Sequence, residues 1–74
     1  MAFDYSKLLG RIVEKYGTQA RFSKALGLSE HSLSLKLNSI RGFKQSEISR
    51  VCDILEIEHS EIPVYFFTLK VQSG

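Results

Sequence analysis

The chain has 74 residues and a formal net charge of +2, and 43% of it is apolar, including five Phe and three Tyr. That length allows one domain, residues 1–74, with a small core. A single cysteine excludes an internal disulfide framework and a thiolate zinc cage, apolar runs of a few residues exclude a membrane-spanning helix, and Met1-Ala2-Phe3-Asp4 lacks the basic start of a signal peptide.

Tyr5, Leu8, Leu9, Ile12, Val13 and Tyr16 recur at three- and four-residue steps. This is the apolar stripe of an amphipathic helix, with Asp4 as its expected N-cap and Gly17 as its end. Thr18 is placed to cap a second, short helix running to Leu26, with Phe22, Ala25 and Leu26 as its inner face and Gly27 as its stop. Leu28 then turns inward. Ser29 caps a third helix, whose Leu33 and Leu37 face the core. Residues 38–44 read as a loop. Ile48, Val51, Cys52 and Leu55 form a fourth stripe, and Glu47 falls in its first turn, where a negative charge suits the helix dipole. His59 to Ile62 reads as one further helical turn ended by Pro63. Val64 to Val71 is β-prone and aromatic, within a tail of about residues 63–74. Short amphipathic helices bury their stripes only against each other, so the predicted fold is all-α: a compact four- or five-helix bundle with an extended aromatic C-terminal tail.

The small net charge conceals an asymmetry. Residues 15–50 carry seven Lys and Arg against Glu30 and Glu47, an excess of +5, whereas residues 51–74 carry Lys70 against Asp53, Glu56, Glu58 and Glu61, a net −3. A basic middle and an acidic end suit a nucleic-acid face on one side of the domain, or an ordinary solvated surface.

The most informative stretch runs from Gln19 to Asn38 within a motif at about 18–38. Two helices of about eight residues are joined through Gly27, where a positive φ lets the chain turn sharply. This is the pattern of a helix-turn-helix, whose second helix enters the major groove. Gln19, Gly27 and Leu28-Ser29 resemble the Cro/repressor helix-turn-helix family of phages and bacteria. Ser34-Leu35-Lys36-Leu37-Asn38, Phe43, Glu47-Ile48, Leu55 and Tyr65-Phe66-Phe67 are similar to a group of small regulators of temperate phages from Gram-positive hosts. That group includes Cro-like proteins and modulators of repression. The resemblance covers nearly the whole chain and implies a lambda-repressor-like bundle in the cytoplasm of a bacterial host. It also has two departures. Ser23 stands where a small residue such as Ala is common, and Ser39 replaces the usual Gly after Lys36-Leu37-Asn38, so the following loop is expected to differ in shape.

The resemblance implies a phosphate contact for Gln19, and the N–H groups of a helix start would add to it. On an exposed third helix, Ser29, Glu30, His31, Ser34 and Lys36 are placed to reach base edges: a glutamate accepts from cytosine, and His or Lys donates to guanine. Ser29 also has a capping role, and Glu30 also suits the first turn of a helix. Lys36, Asn38, Arg41 and Lys44 suit phosphate positioning, or a solvated basic loop. Leu35 lies off the Leu33–Leu37 stripe and is expected to touch a thymine methyl or a partner protein. Tyr65, Phe66 and Phe67 either cap the core or form a patch for self-association or for a repressor protein.

Catalytic readings find little support. His31 and His59 lie in separate segments, Cys52 belongs to an apolar stripe, and no zinc-ligand spacing or phosphate-cradling glycine loop is present. No enzyme activity, cofactor, metal or small-molecule substrate is expected. The first expectation is a Cro-like transcriptional regulator that binds double-stranded operator DNA through residues 18–44 and takes part in the lysis–lysogeny switch. A homodimer on two half-sites is the arrangement that tight binding would require. The rival expectation is a module that binds the phage repressor protein and alters its DNA binding.

Overall fold

The computed structural model describes residues 3–70. Five α-helices follow in order: α1 (Ser6–Tyr16), α2 (Gln19–Leu26), α3 (Glu30–Leu37), α4 (Gln45–Leu55) and α5 (Ile62–Phe66), with a 3₁₀ turn at His59–Glu61 leading into α5. The described residues contain no β-strand, only an isolated antiparallel bridge between Phe3 and Leu69. The all-α bundle expected from the stripes is the observed architecture.

Helix boundaries follow local chemistry. Thr18 Oγ1 accepts from the Arg21 N–H at 3.2 Å and starts α2. Gly27, at φ 85°, ends it in the left-handed region that favours glycine. Ser29 Oγ accepts from the Ser32 N–H at 3.1 Å and starts α3 after a turn of three residues. Asp4 acts one position earlier than expected. The N-cap of α1 is Tyr5, and Asp4 Oδ1 instead accepts from the Ser6 N–H at 2.8 Å. The far end of α4 is closed from outside, where Arg11 Nε donates to the Leu55 carbonyl at 3.2 Å.

The core joins all five helices. Leu8, Ile12, Phe22, Leu33, Val51 and Leu55 are fully buried, and Leu26, Cys52 and Ile57 join them. Burying one such Leu or Phe contributes roughly 1.5–3 kcal/mol. Helix α2 sits centrally, against α1, α3 and α4. Its inner face is Phe22, Ser23 and Leu26, whereas Ala25 is exposed, contrary to expectation, as is Val13 at the edge of the α1 stripe. Ser23 is buried on that inner face, and its hydroxyl donates to the Ala20 carbonyl at 2.7 Å.

The C-terminal segment departs most from expectation. Pro63 does not end a helical turn. It occupies an early position of α5, where the N–H it lacks has no partner to lose. Ile62 and Phe66 are four residues apart, so a helix here turns both toward the core. Phe66 is 1% exposed and stacks edge-on with Phe43 (5.4 Å between centroids) and Tyr5 (6.5 Å). A helix thus replaces the extended tail over 62–66, and residues 71–74 of that predicted tail lie outside the described residues. Beyond α5, Asp4 N–H donates to the Thr68 carbonyl at 2.7 Å, holding the two ends of the described chain side by side.

Candidate functional site

Two surfaces hold the residues that the sequence singles out. The first is built by α2, α3 and the loop to α4. The caps at Thr18 and Ser29 and the left-handed turn at Gly27 fix α3 against α2. Ser29, Glu30 and His31 are exposed at the start of α3, and Arg41 and Lys44 are exposed in the following loop. Gln19, the first residue of α2, is half-buried. It shares a small cleft of about 140 Å³ with Asn38, Asp4 and Lys70, so the structure brings Gln19 and Asn38 together.

Lys36 is not on this surface. Its side chain is 4% exposed, and Nζ lies 2.9 Å from Glu47 Oε1 and 3.1 Å from the Gly42 carbonyl. It therefore ties α3 to the loop and to α4 and is out of reach of base edges and phosphates, a correction to both roles expected of it. Glu47 Oε1 also accepts from the Lys44 N–H at 2.7 Å. Burial pushes the Glu47 carboxyl upward, but the Lys44 N–H and the Lys36 ammonium outweigh it and hold the carboxyl below its usual range. A charge is rarely buried without a partner. Here the partner is Glu47, on the next helix.

Two further side chains are partly engaged. Asn38 Nδ2 donates to the Ser34 carbonyl at 2.8 Å, turning that amide group back onto its own helix. Leu35 is half-buried, and its carbonyl accepts from the Ile40 and Arg41 N–H groups at 2.9 and 3.2 Å. Ser39 has φ 59°, so the left-handed turn after α3 persists without the glycine. Of the seven cations in residues 15–50, Lys36 and Lys15 are ion-paired, the latter with Glu56 at 3.0 Å. Arg21, Lys24, Arg41, Lys44 and Arg50 are exposed and have no ion pair among the described residues.

The second surface lies between α4 and the segment that carries the 3₁₀ turn and α5. Tyr65, Phe66 and Phe67 were expected either to cap the core or to form a patch: Phe66 is buried and Tyr65 is half-buried against the core, as in the first alternative. Phe67 remains 52% exposed, with its ring edge-on to Phe3 at 5.8 Å. Next to it opens a cleft of about 480 Å³ with an apolar floor of Ile48, Cys52, Ile57 and Ile62. Gln45, Ser49, Asp53 and His59 form its polar side. The cleft was missed from sequence. Its signals were the four-residue step from Ile48 to Cys52 and Ile57 just past the helix end. Burial and then the Asp53 charge push the Cys52 thiol upward, away from the thiolate that nucleophilic chemistry requires. No cluster of three metal-ligating side chains occurs among the described residues.

Residues 1–69 match the family described as "Protein of unknown function (DUF739)", and the chain belongs to that family. It is similar to the solution structure of the modulator of repression (MOR) of the temperate bacteriophage TP901-1 from Lactococcus lactis. The two share 50% identity over 97% of each chain, with a TM-score of 0.81. No curated protein matches the chain.

Proposed function

We propose that this chain is a phage modulator of repression that acts by binding a repressor protein in the cytoplasm of the bacterial host, and that it is not an enzyme. The observation carrying this reading is the 50% identity, over almost the full length, to a phage modulator of repression. At that identity the two chains share side chains on the surface as well as in the core. The geometry agrees: Lys36 is withdrawn, Asn38 is turned onto α3, and an apolar cleft lies open beside Phe67. Each of these weakens a solitary reader of DNA or favours a protein contact.

A second reading, in which α3 binds operator DNA in the manner of Cro, draws on exposed Glu30 and His31 and the five unpaired cations. A gel shift on the DNA beside the chain's own gene separates the two readings. The modulator reading expects no site-selective shift by the protein alone and an altered repressor–DNA complex when both proteins are present. A selective shift by the protein alone that His31→Ala abolishes would replace it with the Cro-like reading.

A further inference from the structure

We infer that the cleft between α4 and α5 is the docking groove for the protein partner, and that it takes an apolar helical segment flanked by lysine or arginine. The inference rests on the modulator reading and names its contact surface. The floor is apolar and the volume, about 480 Å³, lies in the range of clefts that enclose a ligand. It has room for the anchor side chains of a helix laid along it, at i and i+4 spacing, rather than for the whole helix. Phe67, 52% exposed, forms one wall and Val64, 41% exposed, lies on the neighbouring helix α5. This places the large apolar side chain of Phe67 in water at the edge of an apolar floor, the arrangement that marks an interaction site.

Charge selects the occupant. Asp53 lies on the cleft wall, and Glu58 and Glu61 flank His59 in the next segment, exposed and without ion pairs among the described residues. Lys44 adjoins only the far end, beside Gln45. The rim at the α4 C-terminus is therefore acidic and complements a basic flank on the partner. A basic segment is also what a DNA-binding repressor presents, so docking here competes with DNA for the same cations.

The test is titration calorimetry of the full chain with the repressor encoded beside it, using wild type, Ser49→Arg, Asp53→Lys and, as a control on the other surface, His31→Ala. Ser49 and Asp53 are exposed, and thermal melts followed by circular dichroism verify that the variants fold. The expected result is a loss of about 30-fold or more for Ser49→Arg and Asp53→Lys, with His31→Ala within about twofold of wild type. Binding that survives both cleft variants but falls in His31→Ala overturns the groove and leaves the modulator reading standing. No binding by wild type overturns the modulator reading and the groove with it. A wild-type homodimer in sedimentation that Ser49→Arg dissociates makes a second copy the occupant and overturns the heterologous partner.

Discussion

Ser39 and Phe3 exchange two hydrogen bonds across 36 residues of sequence. The serine hydroxyl donates to the Phe3 carbonyl at 2.7 Å and accepts from the Phe3 N–H at 3.2 Å. The left-handed backbone at Ser39 turns that hydroxyl toward the N-terminal segment. The site therefore balances a conformational cost at Ser39 against two partly buried hydrogen bonds.

Ser39→Ala removes both bonds and keeps the unfavourable φ, so we expect a loss of about 2 kcal/mol in urea denaturation. Ser39→Gly removes the same bonds but relieves roughly 1 kcal/mol of left-handed strain. The glycine variant should therefore be the more stable of the two, and the reverse order would show that the left-handed backbone at Ser39 carries little strain.

Lys36→Ala leaves Glu47 without its ammonium partner and opens space beneath α3. The expected cost is about 3 kcal/mol, at the low end for a broken buried pair because the Glu47 side chain retains 15% exposure. Lys36→Met keeps the packing of the stem and should lose less. Equal losses in chemical denaturation would mean that the charge alone decides.

Stability should decline in acid. The Glu47 carboxyl is held below its ordinary value, about 4.3 for glutamate. Its contribution is therefore complete above that value and disappears as the pH falls through the lower folded value. Asp4, through the Ser6 N–H and hydroxyl, and Glu56, through the hydrogen bond and charge of Lys15, are lowered too and act in the same direction. Urea midpoints measured from pH 7 to pH 3 should fall, and Glu47→Gln should flatten the fall. An unchanged profile in that variant would remove Glu47 from the account.

Any binding of this chain to DNA should have a modest salt dependence. For contacts made by residues 15–50, the five unpaired cations of that stretch set a limit of about −4.5 on the log–log slope against salt, where all seven would give about −6. A slope near −6 in a fluorescence titration would mean that more than these five take part: either Lys15 or Lys36 leaves its carboxylate, or exposed Lys7 and Lys70 join the contact, and Lys7→Ala with Lys70→Ala separates the two.

Thr18→Ala and Ser29→Ala each delete an N-cap and should cost about 1 kcal/mol. Their sum in the double variant measures how independently α2 and α3 are held. A deficit beyond the sum would show that the turn between them acts as one unit.

The elements legible in the sequence were those whose signals are local. Thr18, Gly27 and Ser29 mark the ends of α2 and α3 by their own side chains or their lack of one, and the structure places all three as expected. The core stripes of α1 and α4 were legible because burial follows helical period. What was not legible depends on distant partners. The burial of Lys36 requires Glu47 on another helix, and the inward turn of Phe66 requires Tyr5 and Phe43. Pro63 was misread because proline stops a helix from within but is tolerated at its start. Of the candidate surface residues, Glu30, His31, Arg41 and Lys44 are exposed as a binding role requires, while the cleft beside Phe67 comes from tertiary packing that no single stretch encodes.

The pairing of Phe3 with Leu69, reinforced by the bond from Asp4 to Thr68, makes residues far apart in sequence neighbours in space. A short peptide joining the two ends would close the backbone into a ring with little distortion of the helices. Ring closure removes entropy from the unfolded chain, so a cyclised form should melt at a higher temperature with its surfaces unaltered. The same adjacency allows new ends to be cut elsewhere in a circular permutant, but not at Arg41-Gly42, where the Arg41 N–H and the Gly42 carbonyl are already engaged by Leu35 and Lys36.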